Sequence, residues 1–154
     1  MDGRVTIAPD RSVRYELVDG TREWPSLAAL ANDYWTWQRL DPGSRRNIDM
    51  SAWSCVEDLI ESSHTDAVLV LRALADAAAD DAELTTLGAG PLERLVSHQA
   101  HGLRFALEIE FWARHNDRFR RMVSGLWMDS DVPAEVRERL APVGARDLTS
   151  GSTG

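Results

Sequence analysis

Lysine is absent: all 17 basic residues among the 154 are arginines. That excludes a Schiff-base lysine and the lysine of a Walker-type phosphate loop, because both need an ammonium on a flexible stem. Cysteine occurs once, at Cys55, so an intrachain disulfide is excluded. Long apolar runs are also lacking. The longest, "AVLVL" at 67–71, is far shorter than the ~20 residues that a bilayer-crossing helix requires. The opening "MDGRVTIAPD" holds no apolar stretch of signal-peptide length, and no internal repeat stands out. These absences predict a cytoplasmic protein with no membrane span.

What the chain does contain is acid, unevenly placed. The net charge is -8, and residues 47–83 carry nine carboxylates against Arg72 alone. Such a segment repels nucleic-acid phosphates, so nucleic acid is not an expected partner despite the basic "ARHNDRFRR" at 113–121. It attracts a basic protein instead and speeds encounter with it. The surface expected to do so comprises Asp58, Glu61, Asp76, Asp80, Asp81 and Glu83. Trp35 falls off the predicted core stripes and is expected beside them as an aromatic anchor.

At this length the chain fits one domain, burying about two-thirds of the surface that its unfolded form exposes. The expected fold is all-α: a compact bundle or irregular stack of about seven helices. Residues 1–24 are expected to form an N-terminal arm. "VTI" and "VRYEL" alternate around the turn-like "APDRS", which fits either a short hairpin or a loosely attached segment.

Helical spacing runs through 25–144. "PSLAALANDYWTWQRL" places Leu30 and Trp37 on a core stripe and stops at "DPG", and "DMSAWSCVEDLIESS" adds Trp53 and Ile60 behind a cap at Asp49 or Ser51. "TDAVLVLRALADAAAD" is apolar nearly all round, which marks it as the central helix. Further helices are expected over 81–87, 91–98, 103–115, 117–127 and 133–140. They supply Leu92, Leu95, Phe105, Ile109, Trp112, Phe119, Val123 and Leu126 to the core. The tail, 145–154, has no apolar anchor and is expected to be disordered.

Each apparent site has a structural reading. In "LGAGPLERL" at 87–95, Gly88 suits a left-handed helix end, Pro91 a helix start, and Glu93 the positive end of the dipole, so a joint between helices is expected. His98 and His101 lie one turn apart and could share a metal, but no third ligand is evident. Glu61 and His64 form a single E-x-x-H pair, whereas carboxylate-bridged di-metal centres need two such pairs and two more glutamates. Glu108 and Glu110, two apart, point away from each other, and each has an arginine four residues off, Arg104 and Arg114. Cys55 has no neighbouring cation and is expected to be inert. No cofactor is expected.

The segments "W-x2-VEDLI" at 53–60, "LGAGPLERLVSH" at 87–98 and "IEFWARHNDRFRRMVSGLW" at 109–127 resemble a family of small bacterial proteins of unknown function. That family shows G-x-G-P-L-E-x-L-L followed by I-E-x-x-A-x-x-D-P-x-F-R and a tryptophan. The resemblance covers roughly 30–140, and the chain departs from the pattern at Arg118 and around Ala100 to Leu103. It implies a helical fold in bacteria and no accepted activity. The functional expectation is a non-catalytic binding module of the immunity or antitoxin type that docks a basic protein. Two alternatives stand beside it: a metal-dependent enzyme using Glu61, His64, His98 or His101, and a structural subunit that buries an apolar helix face in an oligomer.

Overall fold

The computed structural model describes residues 3–46 and 48–149. The chain divides into two compact units, 1–77 and 78–154.

The first unit opens on a sheet. Strands β1 (Arg4–Ile7), β2 (Val13–Leu17) and β3 (Gly20–Trp24) pair antiparallel in that order. Along β2, Val13 and Tyr15 are buried and Arg14 between them is exposed, the alternation that a pleated strand imposes. The β1–β2 turn is tied by Asp10, whose carboxylate accepts the N–H of Ser12 at 2.9 Å and its hydroxyl at 2.7 Å. β3 carries no such alternation, because its first four residues are exposed and Trp24 alone is buried. Pairing with β2 is what makes it a strand. The all-α expectation is therefore corrected: the molecule is mixed α/β, predominantly helical.

Behind the sheet, α1 (Leu27–Gln38) starts at Ser26, whose hydroxyl accepts the Ala29 N–H at 3.1 Å. Pro42–Arg45 forms a 3-10 turn, and α2 (Ser51–Glu61) follows Asp49, which accepts the Ser51 N–H at 2.9 Å. α3 (Ala67–Ala77), expected as the central helix, buries Ala67, Val68, Val70, Leu71, Leu74 and Ala75, and α2 buries as many residues over the same length. Trp37 and Trp53, expected in the core, are half-buried and stack at 5.2 Å with the Arg45 guanidinium over Trp37.

The second unit begins with α4 (Asp81–Leu87), which starts at Asp80; the Asp80 carboxylate accepts the Glu83 N–H at 2.9 Å while Glu83 accepts the Ala79 N–H at 2.7 Å. The expected helix end at Gly88 is corrected. Gly88 has φ -64°, in the right-handed region, and the helix widens into a π turn, Gly88–Leu92, that runs on into α5 (Glu93–Val96). Pro91 sits inside that turn; a proline ring in a regular helix collides with the carbonyl four residues back, and the wider turn relieves the collision.

α6 (Gly102–His115) is followed by α7 (Asp117–Val123), which Asn116 caps by accepting the Phe119 N–H at 2.9 Å. The reason for Gly88 is close approach. A Cβ there would stand 2.1 Å from the Met122 carbonyl oxygen, and one on Gly125 would stand 2.5 Å from the Thr85 carbonyl oxygen. α4 and α7 thus meet backbone to backbone.

Strand β4 (Trp127–Met128), α8 (Ala134–Leu140) and β5 (Arg146–Asp147) complete the unit, with β5 parallel to β4 and Gly144 turning the chain between them at φ +116°. The tail expected to be disordered from 145 thus holds a paired strand at 146–147; residues 150–154 lie outside the described ones. The core consists of Leu84, Leu87, Leu92, Leu95, Phe105, Ile109, Phe119, Val123, Leu126 and Leu140, while Trp112 is half-buried.

Candidate functional site

Four of the residues expected to meet a partner lie in the first unit. Trp35 is not a surface anchor: it is 2% exposed, and its indole N–H donates to the Leu74 carbonyl at 2.8 Å. On α1 the buried face includes Leu30, Ala31, Tyr34 and Trp35, so Trp35 packs inward beside the stripe drawn through Trp37. Asp58 is engaged internally. One of its oxygens accepts both the Gly3 N–H at 3.0 Å and the Tyr15 hydroxyl, which ties the sheet to α2. Burial, then the hydrogen bond and charge of Asp58, push the Tyr15 hydroxyl above its ordinary pKa. Burial also pushes the Cys55 thiol up to about 12, so at neutral pH it is a protonated core residue.

Glu61 and Asp76 remain exposed and make no ion pair among the described residues. Asp76 stands on an open groove of about 420 Å³ between α1 and α3, lined by Leu27, Ala28, Leu69 and Ala73 together with Asn32 and Arg72. Elsewhere in the acidic segment, Asp49 pairs with Arg22 at 2.9 Å and Asp66 with Arg11 at 3.8 Å. The Ser51 hydroxyl, with further help from the Ser51 N–H and Arg22, holds Asp49 below the usual carboxylate range.

In the second unit, Asp80 and Glu83 cap α4, as described, and Asp81 pairs with Arg121 at 2.8 Å. These carboxylates serve their own helix and its neighbour. The concentration of charge that the sequence displays is thus largely met by the chain's own donors.

The histidines are placed as follows. His98 and His101 stack at 4.9 Å on the surface of the second unit, and His98 Nδ1 accepts the Ala100 N–H. In the first unit His64, in the turn after Glu61, accepts the Asp66 N–H at 3.0 Å. Among the described residues no group of three or more His, Cys, Asp or Glu stands where it could hold a metal ion. Glu110 pairs with Arg139 of α8 at 3.6 Å, which corrects the expected partnership with Arg114.

The surface that the sequence reading missed lies on α6. Phe105, Ala106, Ile109 and Ala113 form its buried face. Leu103, Leu107 and Phe111 form a second apolar row at intervals of four, exposed at 40%, 46% and 52%. Phe111 is braced by His115, whose ring stacks on it at 4.4 Å. The signal was legible in principle, since a helix apolar on two sides can turn only one toward its own core.

The described residues thus form a mostly helical, mixed α/β protein with an apolar row exposed on α6. Residues 41–148 match the model of a family of unknown function (DUF6869), and the chain belongs to that family. The match runs from the 3-10 turn after α1 through β5, leaving the β1–β3 sheet and α1 outside it. No curated protein and no solved structure matches the chain. No helix among the described residues is long and apolar enough to cross a membrane.

Proposed function

We propose that this chain is a non-catalytic protein-binding module, at work in the cytoplasm, whose contact surface is the outer face of α6. The observation that carries the reading is the row Leu103, Leu107 and Phe111, open to solvent along the first ten residues of a fourteen-residue helix. Apolar side chains repeated at helical spacing on an exposed face are how a helix is read by a partner's groove or by another helix. Burying them on contact removes apolar area from water, which is the main favourable term in association.

A second reading keeps the immunity- or antitoxin-type partner on the acidic side. It is favoured by Glu61 and by Asp76 beside the apolar α1–α3 groove, where a basic partner could seat an apolar side chain.

Chemical cross-linking and affinity capture of the tagged full chain separate the two. Leu107→Glu with Phe111→Glu is expected to abolish recovery of a stoichiometric partner, while Glu61→Gln with Asp76→Asn is expected to leave it. Loss only in the acidic variant would transfer the reading to the α1–α3 side. Equal recovery in all forms would overturn it, as would a chain that neither captures a partner nor self-associates through this face.

A further inference from the structure

Resting on the α6 reading, we infer that the occupant of this face is a second copy of the same chain, set antiparallel about a two-fold axis through Leu107. The row repeats every four residues, the ridge that interlocks with an identical ridge when two helices cross. With Leu107 on the axis, Leu103 of each copy lies against Phe111 of the other, so the apolar row covers itself.

The charges along α6 select this arrangement. The helix carries Arg104, Glu108, Glu110 and Arg114, two of each sign; Glu110 pairs with Arg139 of α8, and Glu135 and Glu138 of α8 line the groove beside Leu103, so the charge pattern of the row's other flank is set by Arg104 and Glu108. In the antiparallel setting, Arg104 of one copy faces Glu108 of the other, and the contact occurs twice because a two-fold interface repeats every pairing. A parallel pair would instead bring Glu108 near Glu110, like charge against like. The pattern therefore complements itself in one orientation.

Three apolar side chains from each copy form less contact than the ~800 Å² per partner of a standard interface, so the dimer is a weak one.

Sedimentation equilibrium of the full chain over micromolar to millimolar concentration tests this. The mass is expected to rise from the 17.2 kDa monomer toward its double. Leu107→Glu is expected to stay monomeric with an unchanged circular dichroism spectrum. Arg104→Glu alone and Glu108→Arg alone place like charges at both contacts and are expected to weaken the dimer at least tenfold. An equimolar mixture of these two variants places opposite charges at both contacts and is expected to associate again, as a heterodimer. A monomeric wild type, a dimer indifferent to Leu107→Glu, or single-charge variants that fail to recover on mixing would each overturn the inference. A monomer that captures a different protein through Leu107 and Phe111 would overturn it as well, while leaving the binding-module reading intact.

Discussion

Two glycines two residues apart in "LGAGPL" are predicted to behave oppositely when each receives one methyl group. An alanine Cβ at position 88 would lie 2.1 Å from the Met122 carbonyl oxygen, more than 1 Å inside ordinary contact, and 2.9 Å from the Gly125 carbonyl carbon, about 0.5 Å inside it, and both obstacles are backbone. α7 must then retreat from α4, and its buried Phe119, Met122 and Val123 move with it. Overpacking a well-filled core costs ~1–3 kcal/mol, and rigid backbone places Gly88→Ala at the upper end. At Gly90 a Cβ meets nothing within 4 Å and φ is not positive. Gly90→Ala should therefore stabilise by ~0.4–1 kcal/mol, by restricting the unfolded chain. With a urea slope of about 1–3 kcal/mol/M, the midpoint falls by roughly 1 M or more for Gly88→Ala and rises slightly for Gly90→Ala. Urea titration followed by tryptophan fluorescence and far-UV circular dichroism reads both. Equal effects, or a Gly88→Ala midpoint indistinguishable from wild type, would refute the close-packing account.

Asp58→Ala should cost ~1–3 kcal/mol, because it leaves the buried Tyr15 hydroxyl and the Gly3 N–H without their acceptor; adding Tyr15→Phe should recover part of the loss, and strictly additive penalties would show that the two groups do not interact. Asp58→Asn, which retains an acceptor oxygen, should cost less than Asp58→Ala in the same titration. For Cys55 the folded pKa of about 12 lies above its ordinary 9.0, so its contribution to stability is complete below about pH 9 and is lost as pH rises toward 12. Stability should therefore fall by up to ~1.4 kcal/mol for each pH unit above that threshold, and Cys55→Ala should flatten the slope between about pH 9 and 10, before tyrosine ionises; an unchanged slope would exclude Cys55 as its source.

The helices were legible because burial of one face imposes a period that survives in the letters: Leu30, Ile60, Leu71, Phe105 and Ile109 all lie where their spacing puts them. Membership of a family of unknown function was legible as well. β3 was not, since a strand whose first four residues face solvent has nothing to alternate, and β4 and β5 are two residues each. Charge misled in a different way. Composition counts carboxylates, whereas Asp58, Asp80, Asp81 and Glu83 are assigned by donors far along the chain or at a helix start, which become neighbours only on folding.

The sequence by itself determined that most of this chain is helical and that it holds neither a lysine nor the second cysteine an intrachain disulfide needs. Those properties follow from local period and from residue inventory. Only the tertiary structure decided that Trp35 is buried, that Gly88 is a contact point and not a helix end, and that α6 keeps one of its two apolar rows in solvent. Each depends on which surfaces meet, and that is fixed by distances between residues the chain itself holds far apart.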